Sequence, residues 1–194
     1  MDIVMCGVGG QGTVLAARVM GEAALKSGFQ VRTSEIIGMS QREGAVVSQV
    51  RIADHLEGAL IPDGGADYYL GFELAEAVRN INKMKKGGKA IINSQKIIPP
   101  SVYLGKSTYD EGKLLEYLAQ HHHIVIVDAY KLAGEAGSTR AINAVLLGAL
   151  AAANPLLQPE TILHELINRL PEQLRDINTR AFNLGKLYYE EEMR

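Results

Sequence analysis

The stretch that decides the fold is the amino terminus, Met1-Asp2-Ile3-Val4-Met5-Cys6-Gly7-Val8-Gly9-Gly10-Gln11-Gly12. The apolar run at residues 3–6 predicts a buried parallel strand, and a helical pattern starts directly after Gly12. Between the strand and the helix, Gly7, Gly9 and Gly12 match the pattern G-x-G-x-x-G. This is the strand, turn and helix context that a dinucleotide-binding fingerprint requires.

Residues 7–12 are called the glycine turn below. Gly7 permits a tight turn, Gly9 lets a backbone approach a ligand closely, and Gly12 lets the helix pack against the strand. The N–H groups at the start of the helix favour an anion such as a phosphate. Two interpretations stay open. The turn, with Gly10 and Gln11 included, binds a cofactor, or it only makes a short connection.

The bulk properties predict one globular domain over residues 1–194. The chain has 194 residues, 47% hydrophobic and 22% charged, with a net charge of −2. This charge balance argues against nucleic acid and anionic membranes as partners. No apolar run approaches the roughly 20 residues of a membrane span. The chain enters a strand at once, so we expect no signal peptide and a cytoplasmic location.

Cys6 is the only cysteine, and it falls inside the first predicted strand. A single cysteine excludes an internal disulfide, a cysteine-based zinc site and an iron–sulfur cluster held by this chain alone. Cys6 is therefore either a nucleophile beside the glycine turn or a small buried hydrophobic residue. The second interpretation is the more common behaviour of a lone cysteine in an apolar strand.

Periodicity predicts strands and helices that alternate along the chain. The predicted strands after the first are residues 29–33, 45–52, 67–72, 89–93 and 124–127, and the predicted helices are residues 13–27, 74–86, 111–120, 138–153, 159–170 and 171–192. The strand at 45–52 alternates in polarity, which is typical of an edge or antiparallel strand. We expect an α/β fold, a Rossmann-like three-layer sandwich with a mostly parallel sheet and helices on both faces. Residues 138–194 form its helical C-terminal part, a cap or a subunit interface.

Four further positions are candidates for chemistry. Glu35 follows the second predicted strand, where a dinucleotide fold places an acid for a ribose hydroxyl. Arg42 is suited to clamp a phosphate or a carboxylate, or it pairs with Glu43, Glu35 or a partner chain. Asp128 either faces a ligand crevice at the end of its strand or caps a helix that starts near Lys131. The histidines at 121–123 favour a loop over a metal site, because adjacent side chains point in different directions.

Two segments together resemble a known family. The glycine turn and Ser34-Glu35-Ile36-Ile37-Gly38-Met39-Ser40-Gln41-Arg42 resemble the gamma-type domain of 2-oxoacid:ferredoxin oxidoreductases, and within it the indolepyruvate branch. Further matching places are Val50-Arg51, Phe72-Glu73, Asn93, Leu146-Leu147-Gly148-Ala149-Leu150, Asn178 and Ala181-Phe182. The resemblance covers nearly the whole chain. It departs at Glu43, which stands where the family usually has a glycine.

The resemblance implies a role in the oxidative decarboxylation of a 2-oxoacid, with an aryl pyruvate such as indolepyruvate favoured by the branch. The acyl group would pass to coenzyme A and the electrons to ferredoxin. Thiamine diphosphate and iron–sulfur clusters are expected in a larger partner subunit, because this chain has one cysteine and no Gly-Asp-Gly start of a thiamine diphosphate site. We expect no catalytic residue, metal or firmly bound cofactor here. The isolated chain would be inactive, as a monomer or homodimer.

Two other functions compete with this subunit role. A stand-alone NAD-dependent oxidoreductase would use the glycine turn and Glu35, but the sequence contains no evident Tyr-x-x-x-Lys or His-Asp catalytic pair. A nucleotide-sensing or structural module would use the fold for binding only. Tight NAD binding by the isolated chain would favour either of these functions. Copurification with a large, cysteine-rich protein would favour the subunit role.

Overall fold

The computed structural model describes residues 1–38, 44–55, 58–120 and 123–194. Six strands in these ranges form one sheet, β1 Asp2–Val8, β2 Gln30–Ile37, β3 Ala45–Ala53, β4 Ala66–Gly71, β5 Met84–Asn93 and β6 Ile124–Val127. Their order in the sheet is β2-β3-β1-β4-β5-β6. Strand β3 is antiparallel to both neighbours, and β1, β4, β5 and β6 pair in parallel. The predicted mostly parallel sheet is confirmed, with one reversed strand inside it.

Eight α-helices accompany the sheet within the same ranges, α1 Thr13–Lys26, α2 Leu74–Asn80, α3 Pro100–Tyr103, α4 Glu111–Ala119, α5 Ala129–Ala136, α6 Ile142–Ala153, α7 Pro159–Asn168 and α8 Glu172–Glu192. Short 3₁₀ turns occur at Ile81–Lys83 and Thr139–Ala141. None of these helices is long and apolar enough to cross a bilayer.

Alternation along β1 produces two hydrophobic cores. Ile3 and Met5 pack with residues of α1, α5, α6 and α8 on one face of the sheet. Val4 and Cys6 pack with residues of α2 and α4 on the other face. Side chains of successive strand residues point to opposite faces, so a central strand must be apolar on both. The three-layer arrangement predicted from the sequence is confirmed.

Several predicted boundaries were wrong, including the start of the strand predicted at 89–93, which begins at Met84. The helix predicted from residue 74 ends at Asn80, and Lys85 and Lys86 lie in β5 rather than at a helix C-terminus. Lys85 instead forms an ion pair with Asp67. The helix predicted at 138–153 begins only at Ile142, after a 3₁₀ turn. The second strand was predicted too short, because β2 runs on to Ile37.

Candidate functional site

The glycine turn connects β1 to α1 at the edge of the sheet where the parallel strands end. Gly10 and Gly12 have φ angles of 92° and 90°, a left-handed backbone that glycine adopts without strain. Gly12 occupies the N-cap position of α1, so the first amides of that helix receive no capping hydrogen bond from an N-cap side chain. Gly9 and Gly10 are exposed. The turn thus presents bare backbone to solvent, next to a helix N-terminus.

Gln11 fastens the turn to the sheet with both of its polar atoms. Its Oε1 accepts a hydrogen bond from the amide of Val8 at 2.8 Å. Its Nε2 donates to the carbonyl oxygen of Phe72, just past β4, at 3.2 Å. The side chain is therefore turned inward, and its amide already satisfies two backbone groups of the chain itself. The sequence suggested Gln11 as a cofactor contact, and the structure shows this additional internal role.

Gly7 makes room for this arrangement. A Cβ atom at Gly7 would lie 2.7 Å from Oε1 of Gln11 and 2.7 Å from Cβ of Phe72. Both distances are shorter than real Cβ contacts, so the absence of a side chain at Gly7 is a steric requirement. Around Gly10, by contrast, no atom of the described residues lies within 4 Å of the Cβ position. The buried and exposed glycines of the turn therefore have different functions, since the first permits packing and the second leaves the surface open.

The structure brings the two family-like segments together. The amide of Gly9 donates to the carbonyl oxygen of Gly44 at 2.9 Å. The amide of Gly38 donates to the carbonyl oxygen of Ala45 at 2.8 Å, which closes the β2–β3 hairpin. Gly44, just before β3, therefore lies directly beside the glycine turn. Arg42 belongs to the connection between β2 and β3 and lies outside the described residues.

Glu35 is not where the dinucleotide pattern predicts it. It lies inside β2, exposed, and opposite Ser48 of β3. Because β3 is inserted between β1 and β2, Glu35 is two strands from β1, about 10 Å at the usual strand spacing. In the standard dinucleotide fold the second strand is the direct neighbour of the first. The β2–β3 hairpin causes this difference, because it places β3 next to β1. The sequence pattern of β1, the glycine turn and α1 could not reveal this strand order.

The carbonyl oxygen of Phe72 joins the ends of three parallel strands. It accepts hydrogen bonds from Gln11 and from Nδ2 of Asn93, the latter at 3.0 Å. Oδ1 of Asn93 in turn accepts from the amide of Ala129, at the start of α5, at 3.2 Å. Sequence reasoning noted Asn93 only through the family resemblance. Its position as the last residue of an apolar strand was the local signal of a role at this edge.

Glu73 holds a buried carboxylate beside this junction. Its Oε2 accepts from the amide of Glu76 at 2.8 Å and so caps α2. Its Oε1 accepts from the amide of Ile97 at 3.1 Å and from the hydroxyl of Tyr109 at 2.9 Å. Burial and the bond to Glu73 raise the pKa of the Tyr109 hydroxyl well above its ordinary value of 10.0. Tyr109 therefore remains a neutral donor, and Glu73 anchors the chain segment between β5 and α4.

Cys6 is not placed for nucleophilic chemistry. It is fully buried, and its sulfur lies 2.8 Å from the hydroxyl of Tyr69, which donates to the carbonyl oxygen of Ala77. Burial raises the pKa of the Cys6 thiol to about 12. A thiol with this pKa carries almost no thiolate at neutral pH, and the thiolate is the reactive form. The interpretation of Cys6 as a buried hydrophobic residue is confirmed.

The remaining candidates have local roles or lie outside the described residues. Oδ1 of Asp128 accepts from the amide of Lys131 at 3.0 Å and caps α5, as the helix-cap interpretation predicted. His121 and His122 are outside the described residues. Within residues 1–38, 44–55, 58–120 and 123–194, no group of three or more potential metal ligands occurs.

Comparison with known proteins places the chain in a family. The family model described as pyruvate ferredoxin/flavodoxin oxidoreductase matches residues 2–188. The match covers nearly the whole chain, including the glycine turn, the β2–β3 hairpin and the helical C-terminal part. The chain belongs to this family.

Comparison with individual relatives shows which subunits of these enzymes the chain resembles. The chain is 43% identical over 188 residues to the indolepyruvate oxidoreductase subunit IorB of Thermococcus kodakarensis, covering 95% of this chain and 93% of the relative. It is 28% identical to the pyruvate/ketoisovalerate oxidoreductases common subunit gamma of the same organism, covering 93% and 92%. The fold matches the gamma subunit of a keto/oxoacid ferredoxin oxidoreductase from Geobacter sulfurreducens, with a TM-score of 0.73, 24% identity and 98% of each chain covered.

Proposed function

We propose that this chain is an accessory subunit of a 2-oxoacid:ferredoxin oxidoreductase of the indolepyruvate branch. The observation that carries the proposal is the 43% identity over 95% of the chain to an indolepyruvate oxidoreductase subunit. The lower identity of 28% to a gamma subunit shared by pyruvate and ketoisovalerate enzymes supports the indolepyruvate branch. An aryl pyruvate is therefore the proposed substrate class of the complex.

The catalytic centres of this complex belong to a larger partner in our proposal. The reaction converts a 2-oxoacid and coenzyme A to an acyl-coenzyme A and carbon dioxide, and ferredoxin accepts two electrons. Thiamine diphosphate and iron–sulfur clusters would supply that chemistry in the partner subunit. The single cysteine of this chain is a buried thiol hydrogen-bonded to Tyr69, which is unsuited to hold a cluster. We place the complex in the cytoplasm, a reducing compartment in keeping with a lone free thiol.

Affinity capture tests this role. The tagged chain is purified without oxygen from cells that express it naturally, and the eluate is assayed for indolepyruvate-dependent, coenzyme A-dependent dye reduction. We expect a brown, larger partner to copurify with this activity. Pyruvate assayed in parallel tests the proposed branch. A colourless chain recovered alone and without activity would argue against the subunit role.

The exposed face of the glycine turn is the proposed contact for coenzyme A phosphates. Gly9 and Gly10 are exposed, Gly12 leaves the N-terminus of α1 without a side-chain cap, and such helix ends favour anions. Arg42, from the connection between β2 and β3, is the proposed cationic partner. Gly7 and Gln11 support the turn from beneath.

A substitution at Gly10 separates ligand binding from folding. Gly10→Asn adds a side chain at a position with no described atom within 4 Å, and asparagine tolerates the left-handed backbone better than most residues. Gly64→Asn is the matched control, because Gly64 also has a positive φ, of 70°, and open surroundings. In the assembled enzyme, we expect Gly10→Asn to raise the KM for coenzyme A about tenfold and Gly64→Asn to leave it unchanged. Equal KM values in the two variants would refute the contact.

A further inference from the structure

A cavity of about 310 Å³ lies where α6 and α8 begin, and it is called the α6/α8 cavity below. Its lining includes Ser138 and Arg140 at the 3₁₀ turn before α6, and Asn143 in the first turn of α6. The other lining residues named here are Leu170, just before α8, and Leu174 and Ile177 in α8. The volume is at the lower end of the range for small-molecule sites, about 300–1,000 Å³. It equals the liquid volume of about ten water molecules, at roughly 30 Å³ each. A compact molecule of similar size would fit.

The lining combines an apolar wall with a single charge. Leu170, Leu174 and Ile177 form the apolar wall, and Arg140 is the one charged residue among the described lining residues. The described parts of the chain contain no ion pair to Arg140. An unpaired guanidinium binds a carboxylate through two parallel hydrogen bonds. The other polar lining residues, Ser138, Asn143 and Asn178, are uncharged. One charge beside an apolar wall therefore indicates a ligand with one anionic group.

Polar groups beside Arg140 suit the same anion. The Ser138 hydroxyl oxygen accepts from the amide of Arg140 at 3.3 Å, which leaves the hydroxyl proton free to donate. Helices α6 and α8 have Ala141 and Pro171 at their N-caps, and neither makes a side-chain capping bond. Helix N-termini carry a partial positive charge, although in α6 the amide of Ala144 already donates to Oδ1 of Asn143 at 2.9 Å. These groups strengthen a preference for an anion that the arginine and the cavity already establish.

The cavity is next to the glycine turn. A Cβ atom at Gly12 would lie 3.0 Å from Nδ2 of Asn143, which lines the cavity. Asn143 therefore separates the cavity from the N-terminus of α1 by the width of one side chain. A ligand in the cavity would be detected by the backbone amides on both sides of Asn143.

We propose that the α6/α8 cavity binds a small monocarboxylic acid with a compact apolar group. The carboxylate pairs with Arg140 and accepts from Ser138, and the apolar group lies against Leu170, Leu174 and Ile177. This site is separate from the surface proposed for coenzyme A phosphates. It also does not depend on the subunit role, since every residue involved belongs to this chain.

Titration of the full-length chain tests the site directly. The probe is phenylacetate, and the matched uncharged probe is phenylacetamide, both followed by the backbone amide resonances. We expect saturable shifts at Ala141, Ile177 and Gly12 with phenylacetate, and at least tenfold weaker binding of phenylacetamide. Arg140→Met, which keeps an apolar stem at an exposed position, should weaken phenylacetate at least tenfold. Leu174→Ser should weaken both probes.

Arg18→Met is the control, because Arg18 is also exposed but lines a different groove, beside α1 and β2. It should leave phenylacetate binding unchanged. An unaltered amide spectrum of each variant reports that it is folded. Phenylacetate that gives no saturable shift in the wild-type chain, or that binds the Arg140 and Arg18 variants equally well, would overturn the proposal.

Discussion

The glycine turn and the crossing of α6 with α8 both depend on glycine, but in different ways. In the turn, Gly7 leaves space for the side chains of Gln11 and Phe72. At the crossing, a Cβ atom at Gly148 would overlap the carbonyl oxygen of Phe182, and one at Gly185 would overlap that of Val145. Gly7 in the turn is packed against side chains, which can shift when a substitution is made. The two glycines of the crossing are packed against the backbone of the opposite helix, which cannot shift without moving that helix.

The two regions therefore have different roles. The turn is open to a ligand, and the crossing supports the fold. The turn carries exposed backbone and has one buried and one open face, so a ligand can approach it. Gly148 and Gly185 at the crossing are buried beside residues of the larger hydrophobic core. It aligns α6 and α8, and their first turns line the α6/α8 cavity. We therefore expect substitutions of the crossing glycines to destabilise the protein strongly. Substitutions in the turn should cost less stability, and their cost should depend on the residues that they contact.

The largest effect is expected at the crossing. Gly148→Ala or Gly185→Ala should lower the free energy of unfolding by about 3 kcal/mol or more, because two helix backbones must separate. Gly134→Ala is the control, since Gly134 lies in α5 and its Cβ position is 3.7 Å from the nearest atom, in Thr139. That change should be neutral or stabilising by up to about 1 kcal/mol. Urea unfolding measures all three, and a cost below about 1 kcal/mol at Gly148 would contradict the close approach.

A smaller, coupled effect is expected at the turn. Gly7→Ala should cost about 2 kcal/mol through overpacking, and Gln11→Ala about 1–3 kcal/mol because the Val8 amide loses its acceptor. The double variant should cost less than the sum by at least about 0.5 kcal/mol, since removal of Gln11 relieves one of the two close contacts at Gly7. Denaturation of the wild type, the two single variants and the double variant gives the four free energies of unfolding that this double-mutant cycle needs. Strict additivity would mean that Gln11 does not occupy the space beneath Gly7.

The smallest effect depends on pH and concerns Glu76, one turn into α2 beside the junction. Burial raises the pKa of the Glu76 carboxyl from its ordinary value of 4.5, although its ion pair with Arg79 opposes the rise. The folded state therefore holds a proton that the unfolded state releases, and stability falls as pH rises above about 4.5 toward the folded-state pKa. Among the described residues, the other carboxylate oxygen of Glu76, Oε2, is buried without a hydrogen-bond partner. Burial of this unsatisfied oxygen of an ionised carboxylate explains the cost.

Glu76→Gln should consequently be more stable than the wild type at pH 7, with the advantage vanishing at pH values below about 4. Glu116→Gln, at an exposed position of α4, is the matched control and should follow the wild type at every pH. Unfolding midpoints between pH 4 and pH 8 give the result. A constant difference between Glu76→Gln and the wild type across that range would contradict the proposed burial.

Local patterns predicted the beginning of the fold well. The apolar run and the glycine spacing indicated β1, the turn and α1, because these features depend on neighbouring residues. The helix cap at Asp128 was likewise one of two local alternatives. The insertion of β3 between β1 and β2 was not predicted, since strand order depends on pairing across the sheet. It also changed the position of Glu35 relative to the turn.

The hydrogen bond from the Gln11 side chain to the backbone of Phe72 could not be predicted from the sequence, because it also depends on how the strands pair. Its partner, the Phe72 carbonyl, is 61 positions away along the chain. A glutamine in a glycine-rich motif suggests a ligand contact. The internal acceptor becomes visible only when the sheet brings the ends of β1 and β4 together. Likewise, Gly148 and Gly185 lie in ordinary helical patterns. The contact between their helices requires the tertiary structure.

The central claim, that this chain contributes to catalysis only within a complex, is tested most directly by anaerobic reconstitution. The partner subunit, prepared without this chain, is titrated with the purified chain, and indolepyruvate-dependent ferredoxin reduction is measured at each ratio. We expect no activity from either component alone and a rise that ends at one equivalent. Full activity of the partner alone, or substrate oxidation by this chain alone, would contradict the claim.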